Sequence, residues 1–190
     1  MLIYLHGFNS SPQSHKAQFL GRYLAERGMG DRFSCPALSH WPNLAIAAIE
    51  ADIARHRGKP ICFVGSSMGG FYATYLAEKH DTRAVLINPA IEPQVGLRGL
   101  LGAQQNLYSG EQYELTEQHL AQWGKLLVPA VTLHRYLLIV ETGDEVLDYR
   151  LAVEKYRGAR QVVIQGGDHT LKSFPEQIPL ILEFAGIAPA

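Results

Sequence analysis

The sequence predicts an α/β fold in three layers, with a mostly parallel sheet of about six strands between two layers of helices. Short apolar runs alternate along the chain with segments of helical periodicity, which is the element order of such a fold. The apolar runs are hydrophobic at consecutive positions rather than at every second one, as in strands that are covered on both faces. We therefore expect helices on both sides of the sheet.

The predicted elements follow each other regularly. We expect strands over residues 2–5, 32–35, 61–64, 84–87, 136–140 and 161–164. We expect helices over residues 14–27, 43–57, 68–79, 114–123, 148–156 and 176–184. The expected strand order is 2-1-3-4-5-6, which makes the first and third strands neighbours where the order reverses.

One segment interrupts this alternation. The stretch between Pro89 and Tyr136 is longer than an ordinary connection between strands. We interpret residues 91–134 as a helical insertion that forms a lid or a pocket wall. The alternative is an ordinary crossover helix with loose ends.

Composition and charge narrow the class of protein. The 190 residues are 47% hydrophobic and 18% charged, with a formal net charge of −1, which suits one globular domain over residues 1–190. Without a basic block or a long apolar run, we expect neither nucleic-acid binding nor a membrane span. The N-terminus does not have the pattern of a signal peptide. Cys35 and Cys62 lack a CxxC spacing and are expected to be buried thiols of a cytoplasmic protein.

The stretch 65–70, Gly-Ser-Ser-Met-Gly-Gly, lies between the third predicted strand and the third predicted helix. Gly-x-Ser-x-Gly in this context is typical of a nucleophile elbow, in which a serine sits on a sharp, strained turn. The flanking glycines let the strand and the helix approach closely. The pattern predicts Ser67 as a nucleophile, and the simpler alternative is a glycine-rich turn.

A serine nucleophile needs a base and an acid that orients the base, and on α/β sheets the chain order is serine, acid, histidine. Residues 141–148 follow the fifth predicted strand and contain four carboxylates. We predict Asp144 as the acid because it lies in the tight turn after Gly143. Asp148 is the second choice, although it is also placed to cap the next helix. Asp168 is expected to shape its own turn.

His169 is the predicted base. It follows the last predicted strand in a glycine-flanked loop, at the same sheet edge as Ser67 and Asp144. Two further histidines, His40 and His134, lie in predicted loops and remain alternatives for the pocket. The other histidines are expected in polar, solvated helical segments, namely His15, His56, His80 and His119, or in the turn after the first strand, namely His6.

An acyl-transfer site also needs N–H donors for the oxyanion. The backbone N–H of Met68 follows the nucleophile at the start of a helix and is the first predicted donor. The loop over residues 6–12 is expected to face Ser67, because the first and third strands are neighbours. Gly7 lets this loop bend, which makes the N–H of Phe8 the second predicted donor.

Other kinds of site are not favoured by the sequence. The acidic residues of the stretch 141–148 and His169 lack a metal-ligand spacing such as HExxH, so we expect no metal. The stretch 65–70 has neither the lysine of a phosphate loop nor the GxGxxG spacing. We therefore expect no nucleotide and no cofactor.

Together these motifs resemble the α/β-hydrolase superfamily over nearly the whole chain, and more closely the small bacterial YqiA-type esterases. The resemblance is carried by residues 4–12, 64–73, 87–90, 143–148 and 167–169. It implies an α/β-hydrolase fold and hydrolysis of small-molecule carboxylic esters, and also of acyl thioesters, by a triad of Ser67, Asp144 and His169. Compared with larger members, it predicts no separate cap domain and hence a wide, shallow site.

In the predicted reaction Ser67 attacks an acyl carbonyl while His169 takes its proton, and water then releases the acyl-enzyme. Two alternatives stay open. One is a non-catalytic protein of this fold that binds a ligand, and the other is a hydrolase that uses the same triad on an amide or a C–C bond. The residues expected to line the substrate pocket are Asn9, Leu97, Leu101 and Tyr108.

Overall fold

The computed structural model describes residues 1–187 and contains two sheets. Its strands are β1 (Leu2–Leu5), β2 (Phe33–Ser34), β3 (Cys62–Ser66), β4 (Arg83–Ile87), β5 (Gly102–Gln105), β6 (Gln112–Leu115), β7 (Tyr136–Glu141) and β8 (Arg160–Ile164). Six of them form one parallel sheet in the order β2-β1-β3-β4-β7-β8. This confirms the fold class and the strand order that the sequence predicts.

Apart from the short helix over Pro93–Gly96, which the sequence does not predict, the helices lie close to their predicted positions. They are α1 (His15–Ala25), α2 (Pro42–Arg55), α3 (Met68–His80), α4 (Pro93–Gly96), α5 (Glu117–Gly124), α6 (Tyr149–Lys155) and α7 (Phe174–Phe184). The start of α5 was predicted too early, because Glu114 and Leu115 belong to β6 and Thr116 is the N-cap of the helix.

Apolar side chains fill both faces of the main sheet. Along β1, Ile3 and Leu5 pack into a core cluster with α2, α3, α5 and α6, whereas Leu2 and Tyr4 pack into a second cluster with α1 and α7. The alternation follows from the two-residue period of a strand. Since both faces are covered, every residue of β1 is buried, which is why the strand appears in the sequence as a continuous apolar run.

Residues 91–134 differ from the helical insertion that the sequence predicts. Besides α4 and α5 they contain an antiparallel hairpin of β5 and β6, in which Gly102 pairs with Leu115 and Gln105 with Gln112. The hairpin escaped prediction because β5 reads Gly-Ala-Gln-Gln, which has none of the β-branched or aromatic residues that favour strands. Its position is set by contacts with the loop after β1, described below.

Cys62 is buried within β3, Cys35 is partly buried after β2, and both are free thiols. Within residues 1–187, none of the helices has the length and apolar character needed to cross a membrane.

Candidate active site

Ser67 occupies the turn between β3 and α3, at the C-terminal edge of the sheet. Its backbone has φ 55° and ψ −120°, a conformation that non-glycine residues rarely adopt, so the turn is strained. The turn is also crowded: a Cβ at Gly65 would collide with the backbone of Gly69, and a Cβ at Gly69 would collide with the carbonyl of Leu5. These two contacts explain the Gly-x-Ser-x-Gly spacing.

The strained turn is held by the chain at the end of β4. The N–H of Ser67 donates to the carbonyl of Ile87 at 2.9 Å, and the N–H of Ala90 donates to the carbonyl of Ser67 at 3.1 Å. Both backbone polar groups of the serine are therefore bonded to one neighbouring segment. Its side chain is left to point away from the sheet, toward the loops that follow β7 and β8.

Those loops bring the three predicted catalytic side chains into a hydrogen-bonded row. His169 Nε2 lies 3.0 Å from Ser67 Oγ, and His169 Nδ1 lies 2.8 Å and 2.9 Å from the two carboxylate oxygens of Asp144. An ionised carboxylate only accepts hydrogen bonds, so we assign the imidazole proton to Nδ1. Nε2 then accepts from the hydroxyl of Ser67, which is the arrangement that a general base requires.

The environment of Asp144 favours its ionised form. The side chain is only 1% exposed, and its Oδ1 accepts the N–H groups of Val146 at 2.9 Å and Leu147 at 2.8 Å. Burial alone would raise the pKa of Asp144, but the hydrogen bonds from His169, Leu147 and Val146 outweigh it and hold the pKa below the ordinary aspartate value. The imidazole therefore faces a carboxylate at neutral pH.

The competing carboxylates have other contacts. Asp148 caps α6 by accepting the N–H of Arg150 at 3.0 Å, as the sequence analysis expected of it. Asp168 accepts the N–H of Thr170 at 3.0 Å within its own turn, again as expected. Glu145 accepts the backbone N–H of His169 at 3.0 Å and thus supports the loop rather than the imidazole.

The two segments predicted to supply oxyanion donors lie side by side. Met68 is the first residue of α3, where backbone N–H groups have no partner within the helix. The loop over residues 6–12 lies against the elbow, since a Cβ at Gly7 would be 3.4 Å from the Cβ of Ser67. The parallel pairing of β1 with β3 produces this proximity. The donor roles of Phe8 and Met68 stay predictions.

The hairpin of the insertion is bonded to this same loop through Asn9. Its side chain accepts the hydroxyl of Tyr113 at 2.8 Å and donates to the side chain of Gln104 at 3.2 Å. Its carbonyl accepts the N–H of Leu107 at 3.0 Å, and its backbone has a left-handed φ of 51°. The hairpin thus fixes the residue that follows Phe8.

A small cavity lies between this loop, the hairpin and α5. Its volume of about 30 Å³ is close to what one water molecule needs. Of the predicted pocket residues, Asn9 lines the cavity, whereas Leu97 packs against the core, Leu101 precedes β5 and Tyr108 lies half exposed in the hairpin turn. Tyr108 is not among the residues that line this cavity. The main lining side chains are Phe8, Asn9, His40, Tyr72, Tyr113 and Trp123.

His119 does not have the solvated environment that the sequence predicts. His119 was expected to be solvated, but it is fully buried at the start of α5, and its ring stacks on Trp41 with centroids 3.6 Å apart. Its Nδ1 accepts the N–H of Thr116 at 3.1 Å, so the proton resides on Nε2, which donates to His40 Nδ1 at 3.1 Å. Burial, and then the neighbouring His40, lower the pKa of His119. The prediction failed because the side chains that cover His119, those of Trp41 and His40, lie far from it in the sequence.

Elsewhere the described part of the chain offers little that resembles a second site. A groove of about 870 Å³ lies at the opposite, N-terminal ends of β3 and β4, where Lys59 and Thr82 belong to its lining. It is remote from Ser67. No group of three or more His, Cys, Asp or Glu side chains within residues 1–187 could hold a metal ion.

Comparison with known proteins identifies the fold. A family model described as Uncharacterised protein family (UPF0227) matches residues 1–186. Among solved structures, a protein of Agrobacterium vitis S4 that carries the provisional name hydrolase has a TM-score of 0.79 at 20% identity, over 97% of this chain and 87% of that one.

Two other structures extend the comparison. Mouse alpha/beta hydrolase domain-containing protein 10 has a TM-score of 0.74 at 14% identity, over 96% of this chain and 87% of its own. The monoacylglycerol lipase of Paleococcus ferrophilus has a TM-score of 0.66 at 15% identity, over 98% of this chain and 94% of its own. The likenesses show the α/β-hydrolase fold that the sequence resemblance implies.

Proposed function

Since the chain belongs to the UPF0227 family and has the fold of α/β hydrolases, we propose that it is a serine hydrolase that cleaves carboxylic esters. The observation that supports this most is the hydrogen-bonded row of Ser67, His169 and Asp144 on a strained turn. A serine is a poor nucleophile unless a positioned base removes its proton. A structural role would not require three side chains from three loops to meet in this order.

In the proposed first step Ser67 Oγ attacks the acyl carbonyl carbon as its proton passes to His169 Nε2. Asp144 keeps the imidazole oriented and stabilises the positive charge that develops on it. The N–H groups of Phe8 and Met68 stabilise the oxyanion of the tetrahedral intermediate. His169 then gives the proton to the departing alcohol, which leaves an acyl-enzyme.

In the second step the same groups act on water. His169 takes a proton from a water molecule while the oxygen of this water attacks the acyl carbon. The bond from the acyl group to Ser67 Oγ then breaks, and His169 returns the proton to Ser67 Oγ. The products are a carboxylic acid and the regenerated enzyme. A thiolate can leave in place of an alcohol, so acyl thioesters are included among the proposed substrates. The likeness to a monoacylglycerol lipase favours small-molecule esters over amides.

The test compares the wild-type protein with Ser67→Ala on p-nitrophenyl esters and acyl thioesters of graded length. We expect hydrolysis to fall by at least about 1000-fold in Ser67→Ala, because the nucleophile is lost. A fluorophosphonate should label wild type and leave this variant unlabelled. Ser66→Ala is the matched control, since Ser66 is the adjacent serine and is buried in β3. This variant should still hydrolyse the esters and be labelled by the fluorophosphonate. Equal activity of wild type and Ser67→Ala would contradict the proposal.

Absence of labelling in a folded wild-type protein would also contradict it, and would favour a ligand-binding protein of the same fold. If the wild-type protein is labelled and active, the esters that it hydrolyses fastest define the acyl and leaving groups.

A further inference from the structure

Glu141 is a buried carboxylate that the proposed chemistry does not use. It is the last residue of β7, only 1% exposed, and it is one of the four acidic residues of the stretch 141–148. Removing a carboxylate from water is unfavourable unless hydrogen bonds replace its hydration. The position of its partners therefore indicates what the carboxylate does.

All four hydrogen bonds to the Glu141 carboxylate come from the loop that carries His169. Oε2 accepts the backbone N–H of Asp168 at 2.8 Å and that of Lys172 at 3.2 Å. Oε1 accepts the N–H of Ser173 at 3.0 Å and its hydroxyl at 2.6 Å. Burial alone would raise the pKa of Glu141, but these hydrogen bonds outweigh it and lower the pKa. The anion thus binds the loop on both sides of the histidine.

The approach is close enough to exclude a side chain from the loop. Gly167 has φ 72°, and a Cβ at this position would collide with the carboxylate of Glu141. The carboxylate, and not the turn alone, therefore explains why a glycine stands two positions before His169.

Asn88 adds a second set of bonds to the same loop. This residue follows β4, is 2% exposed and has φ 39°. Its Oδ1 accepts the N–H of Glu141 at 3.0 Å, and its Nδ2 donates to the carbonyls of Asp168 at 3.1 Å and His169 at 3.2 Å. The segment that begins with Asn88 also holds Ser67, through the N–H of Ala90.

We propose that Glu141 and Asn88 are positioning residues. They hold the backbone of the loop that carries His169, so that its imidazole reaches both Ser67 and Asp144. The inference rests on the proposed function. Neither side chain contacts the reacting atoms; both act through the loop over residues 167–173. A displacement of about 1 Å at a catalytic group can reduce the rate roughly 100-fold. Loosening this loop should therefore lower kcat and leave KM nearly unchanged.

The test uses Glu141→Gln, which keeps the size of the side chain but turns an NH2 group toward two of the donors. We expect kcat for an ester to fall roughly 10- to 100-fold with KM within about twofold, and fluorophosphonate labelling of Ser67 to slow in parallel. The low-field proton resonance of His169 Nδ1–H should broaden or disappear. Asp52→Asn is the matched control, because Asp52 is an equally buried carboxylate on α2, and it should keep both kcat and the resonance.

Two milder variants keep the inference testable if Glu141→Gln does not fold. Ser173→Ala removes one donor to Glu141, and Asn88→Ala removes the two bonds from the amide to the loop without adding a buried charge. Each variant should lower kcat, as Glu141→Gln does, and weaken the resonance of His169 Nδ1–H. Unchanged kcat and resonance in a folded Glu141→Gln, or in both milder variants, would overturn the inference.

This outcome is distinguishable from failure of the proposed function. If Ser67→Ala kept full activity, the serine mechanism would fail. The resonance of His169 does not depend on turnover, so it would still report whether Glu141 positions the histidine. If Ser67→Ala is inactive and the Glu141 variants are unaffected, only the positioning role fails.

Discussion

His169 Nε2 lies 3.0 Å from Ser67 Oγ, although 102 positions separate the two residues in the chain. The distance is produced by the sheet order, since the loops after β3, β7 and β8 all leave the same edge. β4 lies between β3 and β7, and the segment after it bonds to both the serine and the histidine loop. Asp144 contacts His169, whereas Asp148 caps α6, so the roles of these two acids can be tested separately.

The first prediction separates the two acids that the sequence left in competition. In Asp144→Asn the amide no longer favours a proton on His169 Nδ1, and kcat should fall about 10³- to 10⁴-fold. Asp148→Asn should leave kcat within about twofold, because asparagine caps a helix as well as aspartate does. Steady-state kinetics on one ester measures both. A larger loss in Asp148→Asn would reverse the assignment.

The second prediction concerns the hairpin. Tyr113→Phe removes the hydroxyl that donates to Asn9 Oδ1 and so loosens the loop that carries Phe8. A neutral hydrogen bond contributes about 1 kcal/mol, so we expect kcat to fall roughly fivefold. Tyr108→Phe makes the same chemical change in the half-exposed hairpin turn and should have no effect. If both variants match wild type in kcat, the hairpin does not support the loop over residues 6–12 in the reaction.

The third prediction is a pH dependence of stability. Because burial lowers the pKa of His119 in the folded protein, the unfolded chain protonates first, near pH 6.5. The contribution of His119 to the free energy of unfolding should therefore fall as the pH drops below about 6.5, by up to about 1.4 kcal/mol per pH unit, until its folded-state pKa is reached. Urea unfolding between pH 8 and pH 5 measures the slope.

The matched variants for this experiment are His119→Gln and His15→Gln. His119→Gln removes one titrating group and should make the slope shallower, while His6 and His40, whose pKa values are also lowered, keep part of it. His15→Gln replaces an exposed histidine and is the control. A slope that is unaffected by His119→Gln would show that other groups cause the pH dependence.

The sequence was sufficient to predict the sheet and the residues that follow its strands. Buried parallel strands are apolar at every position, so β1, β4 and β7 stand out, and their order follows from the rules for open sheets. Ser67 and Asp144 each lie just beyond such a strand, and His169 follows the partly exposed edge strand β8. Their approach could be expected without any knowledge of side-chain contacts.

Other features depend on contacts that local sequence does not encode. The partners of Glu141 are residues 168–173, so its role could not be distinguished from that of the acids beside it. The hairpin of β5 and β6 has weak strand propensity and owes its place to Asn9. His119 is buried by Trp41 and His40, which are distant in the chain.

The position of β8 at the edge of the sheet has a consequence for the newly synthesised protein. Ribosomes add roughly 5 to 20 residues per second, so about 5 to 20 s separate the synthesis of Ser67 from that of His169. During this interval β1, β3 and β4 can already pair and form the elbow, but Ser67 has no proton acceptor. On the proposed mechanism a nascent chain is inert toward esters, and it becomes active only when the final strand pairs with β7.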